Sequence, residues 1–422
     1  MAANETKLDV ALIGGGMITN DLILPSLYHL QRVGALGEIN ICALNNPPLK
    51  MLHKNREIKK AFPGQKFNAF PSLKESSKKN FPTLYKKVIA SLDPFNAVVV
   101  AMPDQLHYPV IMEALENNQH VLTVKPLVLE YRQAAEIETL AYKKGLFVGV
   151  EYHKRFDRRS LIARKDYSLG NFGDFKMGEA KMIEPWFYRL SNFQNWFTCE
   201  NTDPFTYVGC HYVDLVYFIT GLRPVEVSVQ GVVDTFPNGK KAYMWANGRV
   251  RFENGALLSV TDGLGYPDDG AGSNEQCLTM FCEAKGQSTL IKHNDQFRGV
   301  RHCYTRPLGP GGTKFNYVNP DFFKLVPWEG KGFKPVGYGY DSIAANMNMM
   351  KDIEDRVAGL DDAKALAARR RMIKETDARG IIATPANSYI NELVMEASRR
   401  SIQNNGRLVQ ITYGKKPGIK FA

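Results

Sequence analysis

The chain has 422 residues, two to three times the size of a common single domain, with 44% hydrophobic, 11% aromatic and 23% charged residues. That composition excludes a disordered, collagenous or disulfide-stapled protein and favours two domains with large buried interiors. Lys and Arg number 54 against 43 Asp and Glu, a net charge of +11 that raises the question of an anionic partner. The start, MAANETKLDV, lacks a basic stretch leading into an apolar one, and the apolar runs at 8–13 and 97–102 are six residues each. A bilayer span needs ~20, so a cytoplasmic protein without membrane contact is expected. Cys42, Cys199, Cys210, Cys277, Cys282 and Cys303 form no CxxC pair and no zinc-like Cys/His spacing, so reduced thiols and no metal site are expected.

In chain order, LDVALI at Leu8–Ile13 is a short apolar run entering glycines, the pattern of a buried strand reaching a tight turn. Ile18, Leu22, Leu24, Leu27, Leu30 and Val33 follow at roughly helical spacing, with Pro25 expected to kink the helix. Strands are predicted at 38–44, 97–102, 120–124 and 146–151, with helices at 109–117 and 131–144. The alternation implies an α/β, doubly wound parallel sheet with helices on both faces, assigned to residues 1–153. Beyond that point the strands lengthen and alternate, at 225–233, 248–252, 256–261 and 278–284, with a hairpin signal at Asn254-Gly255 and helices at 212–220 and 387–403. Residues 154–422 are therefore expected to form an α+β domain with a large open, mainly antiparallel sheet. The stretch 309–339, rich in Gly, Pro and aromatics, is longer than an idle loop and reads as a lid, a substrate lining or a packing loop between subunits.

The glycine run at the end of the first strand carries chemistry. Gly14 and Gly16 let the backbone turn sharply and approach a pyrophosphate, while Met17 and Ile18 open a helix whose first N–H groups point at the anion. Thr19 takes the third glycine position of GxGxxG. At the end of the second strand, where an acid usually grips the adenosine ribose, the chain has Asn45-Asn46. Asn45 can hydrogen-bond a ribose hydroxyl, and the missing charge removes the repulsion against a 2′-phosphate. Lys50 and Lys54 lie just beyond. NAD is the expected cofactor, with NADP as the alternative.

Ala101-Met102-Pro103-Asp104 with His107, then His120-Val121-Leu122-Thr123-Val124-Lys125-Pro126-Leu127, resembles the TPxxxH and HVLxEKPL pair of the glucose–fructose oxidoreductase/inositol dehydrogenase/rhizopine-catabolism (Gfo/Idh/MocA) family. GVEYHKRFD at 149–157 is similar to the family's GxxxRF segment, and Gly209-Cys210-His211-Tyr212-Val213-Asp214-Leu215 resembles its HxxDL element. With the glycine turn and the final helix and strand over 392–411, the resemblance covers nearly the whole chain. It implies a Rossmann domain, a second domain whose open sheet packs between subunits as a homodimer or homotetramer, and reversible hydride transfer at a hydroxyl or keto carbon of a sugar, glycoside or cyclitol.

The resemblance assigns Met102, Pro103, His107 and Lys125 to the cofactor and makes Lys125 catalytic, a cation that polarises the reacting oxygen. His211 is the candidate acid/base, since an imidazole near pKa ~6.5 exchanges protons at neutrality. Asp214, one helical turn later, is placed to orient a substrate hydroxyl. Two positions depart from the family pattern: Val124 replaces the glutamate before the lysine, and Tyr207 replaces an aspartate four residues before the histidine. Tyr207 is read as a proton relay or a substrate platform; Asp203 lies nearby but off the motif position. His153 and Arg155, at the end of the last parallel strand, are assigned to substrate. Trp186, Trp196, Tyr338 and Tyr340 are candidates for stacking on a sugar face, against a packing role. Two rival functions fit the same residues: a redox-assisted glycoside lyase or hydrolase with tightly bound NAD, and a sugar-sensing regulator without chemistry. Arg369-Arg370-Arg371 reads as a solvated helix face, and with no aromatic-interleaved basic stripe no nucleic-acid partner is expected.

Overall fold

The all-apolar character of Ala97–Val100 and most of Leu8–Ile13 demands burial on both faces, and that is what a parallel sheet core provides. The computed structural model describes residues 7–270, 274–295, 304–309, 312–316 and 322–422, and its chain divides into two compact units, 1–156 with 325–389 and 157–324 with 390–422. The first unit is built on β1 (Leu8–Ile13), β2 (Leu36–Cys42), β3 (Asn68–Phe70), β4 (Ala97–Val100), β5 (His120–Val124) and β6 (Val148–Glu151). They form one sheet in the order β3-β2-β1-β4-β5-β6, with every pair parallel. β1 lies in register with β4, Val10 opposite Ala97 through Ile13 opposite Val100.

The expected single boundary after residue 153 gives way to a chain that returns. Segment 325–389 belongs to the first unit, including two long helices, Tyr338–Val357 and Asp362–Arg379, that the sequence reading lacks. Helix Tyr338–Val357 lays its buried Ile343, Met347, Met350, Ile353 and Val357 on the unit's core, a stripe at helical spacing. It approaches β6 closely enough that a Cβ on Gly149 would lie 1.8 Å from Asn346 Oδ1, so only glycine fits there. Of the 309–339 stretch, residues 310–311 and 317–321 lie outside the described residues, as does Cys303. Its later part carries β15 (Lys324–Pro327) and β16 (Phe333–Val336). Arg32 sits over the Trp328 ring at 4.1 Å and donates to the carbonyls of Lys331 and Phe333. Burial, aided by the Arg32 and Lys334 charges, pushes His29 down to about 4, so a neutral ring accepts from Arg32 at neutral pH.

Arg369 is not on a solvated face; it is 8% exposed. Its guanidinium donates to both carboxylate oxygens of Glu354, Nε at 2.9 Å and NH2 at 2.6 Å, and stacks 3.7 Å over Phe95. His120 Nε2 completes the carboxylate's partners at 2.9 Å, while His120 Nδ1 accepts from the Phe147 amide. Each buried charge is thus paired and hydrogen-bonded, the condition on which such a group is tolerated.

The second unit carries β7 (Asp174–Pro185), β8 (Pro224–Thr235), β9 (Lys241–Phe252), β10 (Leu257–Tyr266), β11 (Glu275–Ala284) and β12 (Gln287–Asn294), with β17 (Val409–Thr412) and β18 (Gly418–Phe421). A separate two-stranded hairpin pairs β13 (Tyr304–Gly309) with β14 (Gly312–Asn316). The eight-stranded sheet runs β12-β11-β7-β10-β9-β8-β17-β18 and is antiparallel except at β10 and β7. The Asn254-Gly255 turn joins β9 to β10 as expected, with Gly255 at φ +88 and Asn254 Oδ1 accepting from Ala256 N at 3.0 Å. β9 alternates strictly, Ala242, Met244, Ala246, Val250 and Phe252 inward. On the opposite face, register pairs Leu290 with Phe281, Phe281 with Met177 and Met177 with Leu257, a continuous apolar row across four strands. No described helix is long and apolar enough to cross a membrane.

Because Arg369 is the bidentate partner of a buried carboxylate, Arg369→Met is expected to lower the unfolding free energy by about 3–5 kcal/mol in urea at neutral pH. Burial pushes the Glu354 carboxyl up, but the bonds from Arg369 and His120 outweigh it and hold it below its ordinary 4.5. A carboxyl more acidic folded than unfolded stabilises above the unfolded value and loses that contribution as pH falls through the folded one. The stability gap between the native chain and Glu354→Gln is therefore expected to be full at pH 6 and to close in acid; a gap unchanged down to pH ~3 would refute the ion-pair account.

Candidate functional site

The first unit gathers its candidate residues at the carboxyl end of the parallel sheet, where ligands of doubly wound folds collect. Gly14 leaves β1 at φ +122, a region closed to other residues, and a Cβ there would lie 1.9 Å from the Ala101 carbonyl oxygen. Around it the strand ends are tied together: Gly14 N donates to Cys42 O and Ala101 N to Ile13 O, each at 2.8 Å. Among the described residues, no atom beyond its chain neighbours lies within 4 Å of a Cβ built on Gly16, which leaves the approach to the turn open. Helical turns begin at Met17, and both Met17 and Ile18 are half-buried beside the turn.

Thr19 replaces the third glycine with a purpose, since its buried hydroxyl donates to Gly14 O at 2.9 Å and braces the turn from inside. Pro25 falls where the helix changes type: the helical run that opens at Met17 widens into a π turn over Thr19–Ile23 and continues as the α-helix Leu24–Arg32, with Pro25 at its second residue, so the wider turns precede the residue that lacks an N–H. The glycine cradle and the open space before Gly16 fit a dinucleotide pyrophosphate.

The other motif residues divide by what their side chains touch. Lys125 is half-buried at the end of β5, and its bond to Pro126 is cis. Met102 and Pro103 are half-buried on the loop after β4. His107, expected at the cofactor, is fully buried instead: Nδ1 lies 2.8 Å from Pro126 O and Nε2 2.9 Å from Met102 O, so the ring clamps the two loops that bear Met102 and Lys125. His153 and Arg155 are likewise internal. His153 Nδ1 pairs with Glu151 at 3.0 Å and the ring stacks on Tyr338, which accounts for that tyrosine as well. Arg155 is 1% exposed and donates to Asn387 Oδ1 at 3.1 Å. Tyr340 packs on His29. Among the described contacts, His153 and Tyr338 stack on each other, Arg155 bonds Asn387, and Tyr340 meets His29, so each of these four has a packing partner in the first unit.

In the second unit His211 is buried on helix Cys210–Thr220. Asp214 is buried one turn on, and its Oδ1 accepts from Asn391 Nδ2 at 2.8 Å, a bond that ties two helices. Asp203 caps the turn before His211, accepting from Thr206 N at 3.0 Å and Thr206 Oγ1 at 2.7 Å. Tyr207 stands on that turn, half-buried in an aromatic nest with Phe193 at 5.1 Å, Trp196 at 5.8 Å and Phe197 at 6.0 Å. Trp196 belongs to the nest, whereas Trp186 is 47% exposed with Arg189 stacked 4.0 Å from its ring. Asp262 escaped the sequence reading. It is fully buried on β10, and a Cβ on Gly209 would lie 2.5 Å from its Oδ2, so Gly209 is small to admit a carboxylate two residues before His211. No sequence motif marks it, since the approach crosses more than fifty residues of chain.

The oxidoreductase family of NAD-binding Rossmann fold, Gfo/Idh/MocA, matches residues 8–152, and the Gfo/Idh/MocA C-terminal domain matches residues 162–283. The chain belongs to this family. An uncharacterised oxidoreductase of Schizosaccharomyces pombe is 30% identical over 158 residues, 36% of this chain and 42% of the relative. The scyllo-inositol 2-dehydrogenase (NADP(+)) of Bacillus subtilis is 25% identical over 199 residues, 47% of this chain and 49% of its own, and the D-glucoside 3-dehydrogenase of Escherichia coli 25% over 136, 31% of this chain and 37% of its own. The chain thus spans less than half the length of each of these relatives. Among solved structures, myo-inositol 2-dehydrogenase from Lactobacillus plantarum shares the fold with a TM-score of 0.61 at 15% identity, covering 96% of this chain and all of the other.

Gly14→Ala is expected to abolish dinucleotide binding in a fluorescence titration and to destabilise the fold by about 1–3 kcal/mol through the forbidden φ alone. Unchanged binding would remove the turn from the site.

Proposed function

We propose that the protein transfers a hydride between a nicotinamide dinucleotide and a hydroxyl or keto carbon of a sugar, glycoside or cyclitol. The observation that carries this reading is the open glycine cradle at the end of β1, in a chain whose two matched segments are those of an oxidoreductase family. The substrate class is supported by the relatives, whose names specify D-glucosides and scyllo-inositol.

A bound nicotinamide dinucleotide supplies or accepts the hydride. Gly14 and Gly16 leave room for its pyrophosphate, Met17 and Ile18 begin the helix whose N–H groups face it, and Asn45, Met102 and Pro103 line the strand ends. Lys125 presents an ammonium that draws electron density from the reacting oxygen and stabilises alkoxide character, worth most where water is excluded. His211 takes the hydroxyl proton during oxidation and returns it during reduction. Tyr207, wedged among three aromatic rings, holds its phenol rigidly enough to hydrogen-bond a substrate hydroxyl. The apolar row of Leu290, Phe281, Met177 and Leu257 is the face on which a second copy of the chain packs, since contiguous exposed apolar surface of this kind marks interfaces.

Against a panel of polyols with oxidised cofactor and of ketosugars with reduced cofactor, turnover is expected with at least one ring compound. Lys125→Ala is expected to lower kcat/KM by about 10²–10³-fold and His211→Ala by about 10²–10⁴-fold, with melting temperatures unchanged. Silence across the panel, or glycoside cleavage without net change in nicotinamide absorbance, would overturn net dehydrogenation. For the assembly, Phe281→Glu is expected to shift the mass measured by light scattering towards the monomer; an unaltered mass would place the interface elsewhere.

A further inference from the structure

The net charge is concentrated. Residues 45–87 hold eleven Lys and Arg against two Glu, a local +9 that leaves +2 for the rest of the chain. Ten of the eleven cations are exposed, and among the described residues Lys86 alone of them pairs with a carboxylate, Glu113 at 3.2 Å. Like charges gathered this closely repel one another and oppose the compact state, a repulsion that a polyanion bound over them relieves.

The fold sets these cations around one edge of the parallel sheet. Helices Pro47–Lys54 and Arg56–Ala61 connect β2 to the edge strand β3, and helix Leu84–Ala90 lies on the connection that returns across the sheet to β4. Right-handed crossovers that run in opposite directions put their helices on opposite faces. The contacts agree: Arg32 Nη1 donates to Ala61 O at 3.3 Å, joining Arg56–Ala61 to Leu24–Arg32, whereas Lys86 joins Leu84–Ala90 to helix His107–Glu116. Lys59 and Lys60 thus belong to one face, Lys87 to the other, and Lys78 and Lys79 to the loop between. That loop is held from beneath, where the buried Asn46 Nδ2 donates to Glu75 O at 2.6 Å and Ser72 O at 3.2 Å.

Lysines also guard exposed strand edges, but they do so from the edge strand itself, and β3 (Asn68–Phe70) has none. A bilayer or a globular acidic partner would meet one face of such a ridge. Met51 is moreover the one exposed large apolar side chain in the stretch that could enter a membrane or the core of a protein interface. A flexible chain of phosphates instead follows the charge around the edge. Half-buried rings lie among the cations, Phe67, Tyr85 and Phe81, the last with Lys79 Nζ 4.8 Å from its centroid, and unpaired bases stack on such rings. We infer that this edge of the first unit binds single-stranded nucleic acid through its phosphates, without sequence preference. The inference is independent of the hydride-transfer reading. It reverses the expectation of no nucleic-acid partner, because the fold assembles from three segments a basic surface that no single stretch of sequence spells out.

The test is fluorescence anisotropy of labelled oligo(dT) and oligo(U) titrated with the full-length protein. Both strands are expected to bind, and with about five phosphate contacts their affinity falls about 10²-fold between about 0.05 and 0.2 M salt. Lys59→Glu/Lys60→Glu and Lys78→Glu/Lys79→Glu are each expected to weaken binding about tenfold and Lys87→Glu about threefold, with melting temperatures unchanged. Lys415→Glu/Lys416→Glu makes the same change of net charge on exposed lysines of the second unit and is expected to leave affinity within about twofold. Four results overturn the inference: no binding of either strand, equal weakening by the Lys415/Lys416 pair, loss from one face of the sheet alone, or binding of duplex DNA, polyglutamate or phosphatidylserine vesicles as tight as that of the single strands.

Discussion

The contact on which the first unit turns is the closeness of Gly14 to the Ala101 carbonyl. Two parallel strands end side by side, and the chain must leave each of them in the width of one residue. A side chain at position 14 would fill that width. Its absence lets the Ile13 and Ala101 backbones pair and keeps the approach to Gly16 clear. The loops that follow are then tied down by groups that do not face outward: Thr19 beneath the glycines, His107 between Met102 and Pro126, and Asn46 beneath the loop after β3. A binding surface is placed with precision by packing its supports, and the supports are polar because loop backbones carry polar groups that burial would otherwise leave unpaired.

The same economy explains the fate of several motif residues. His107, Arg155 and Asp214 stand in the recognised patterns, and each makes a hydrogen bond inside its own unit. A short motif records that a position is constrained without saying by what. For these three one constraint is a hydrogen-bond partner, Met102 O, Asn387 or Asn391, whose loss would remove a bond from a buried polar side chain. Lys125 and Tyr207 differ in being half-buried, and His211 follows directly on the turn that Asp203 caps and whose Gly209 lies against Asp262.

The parallel strands were legible because each is a short apolar run with an abrupt end, and the β9–β10 hairpin because Asn254-Gly255 demands one turn geometry. The helices Tyr338–Val357 and Asp362–Arg379 went unread although their stripes are present, and so did the return of that segment to the first unit. Nothing local in Glu354 or Arg369 says that they meet each other and His120. Likewise the run Arg369-Arg370-Arg371 reads as surface by composition, and one of its members is buried because a carboxylate and an aromatic face await it.

By itself the sequence determined the two kinds of sheet and the glycine turn, since these follow from periodicity and from short spacings in which neighbours along the chain are also neighbours in space, and its quoted motifs carried the resemblance to the family. Only the tertiary structure decided which polar residues are supports and which face outward, how the segment 325–389 is allotted, and what stands at the end of β2. Those outcomes depend on pairs such as Asn46 with Glu75, Gly149 with Asn346 and Gly209 with Asp262, whose partners are distant in sequence. A side chain's role is set by whichever group the fold brings within about 3 Å of it.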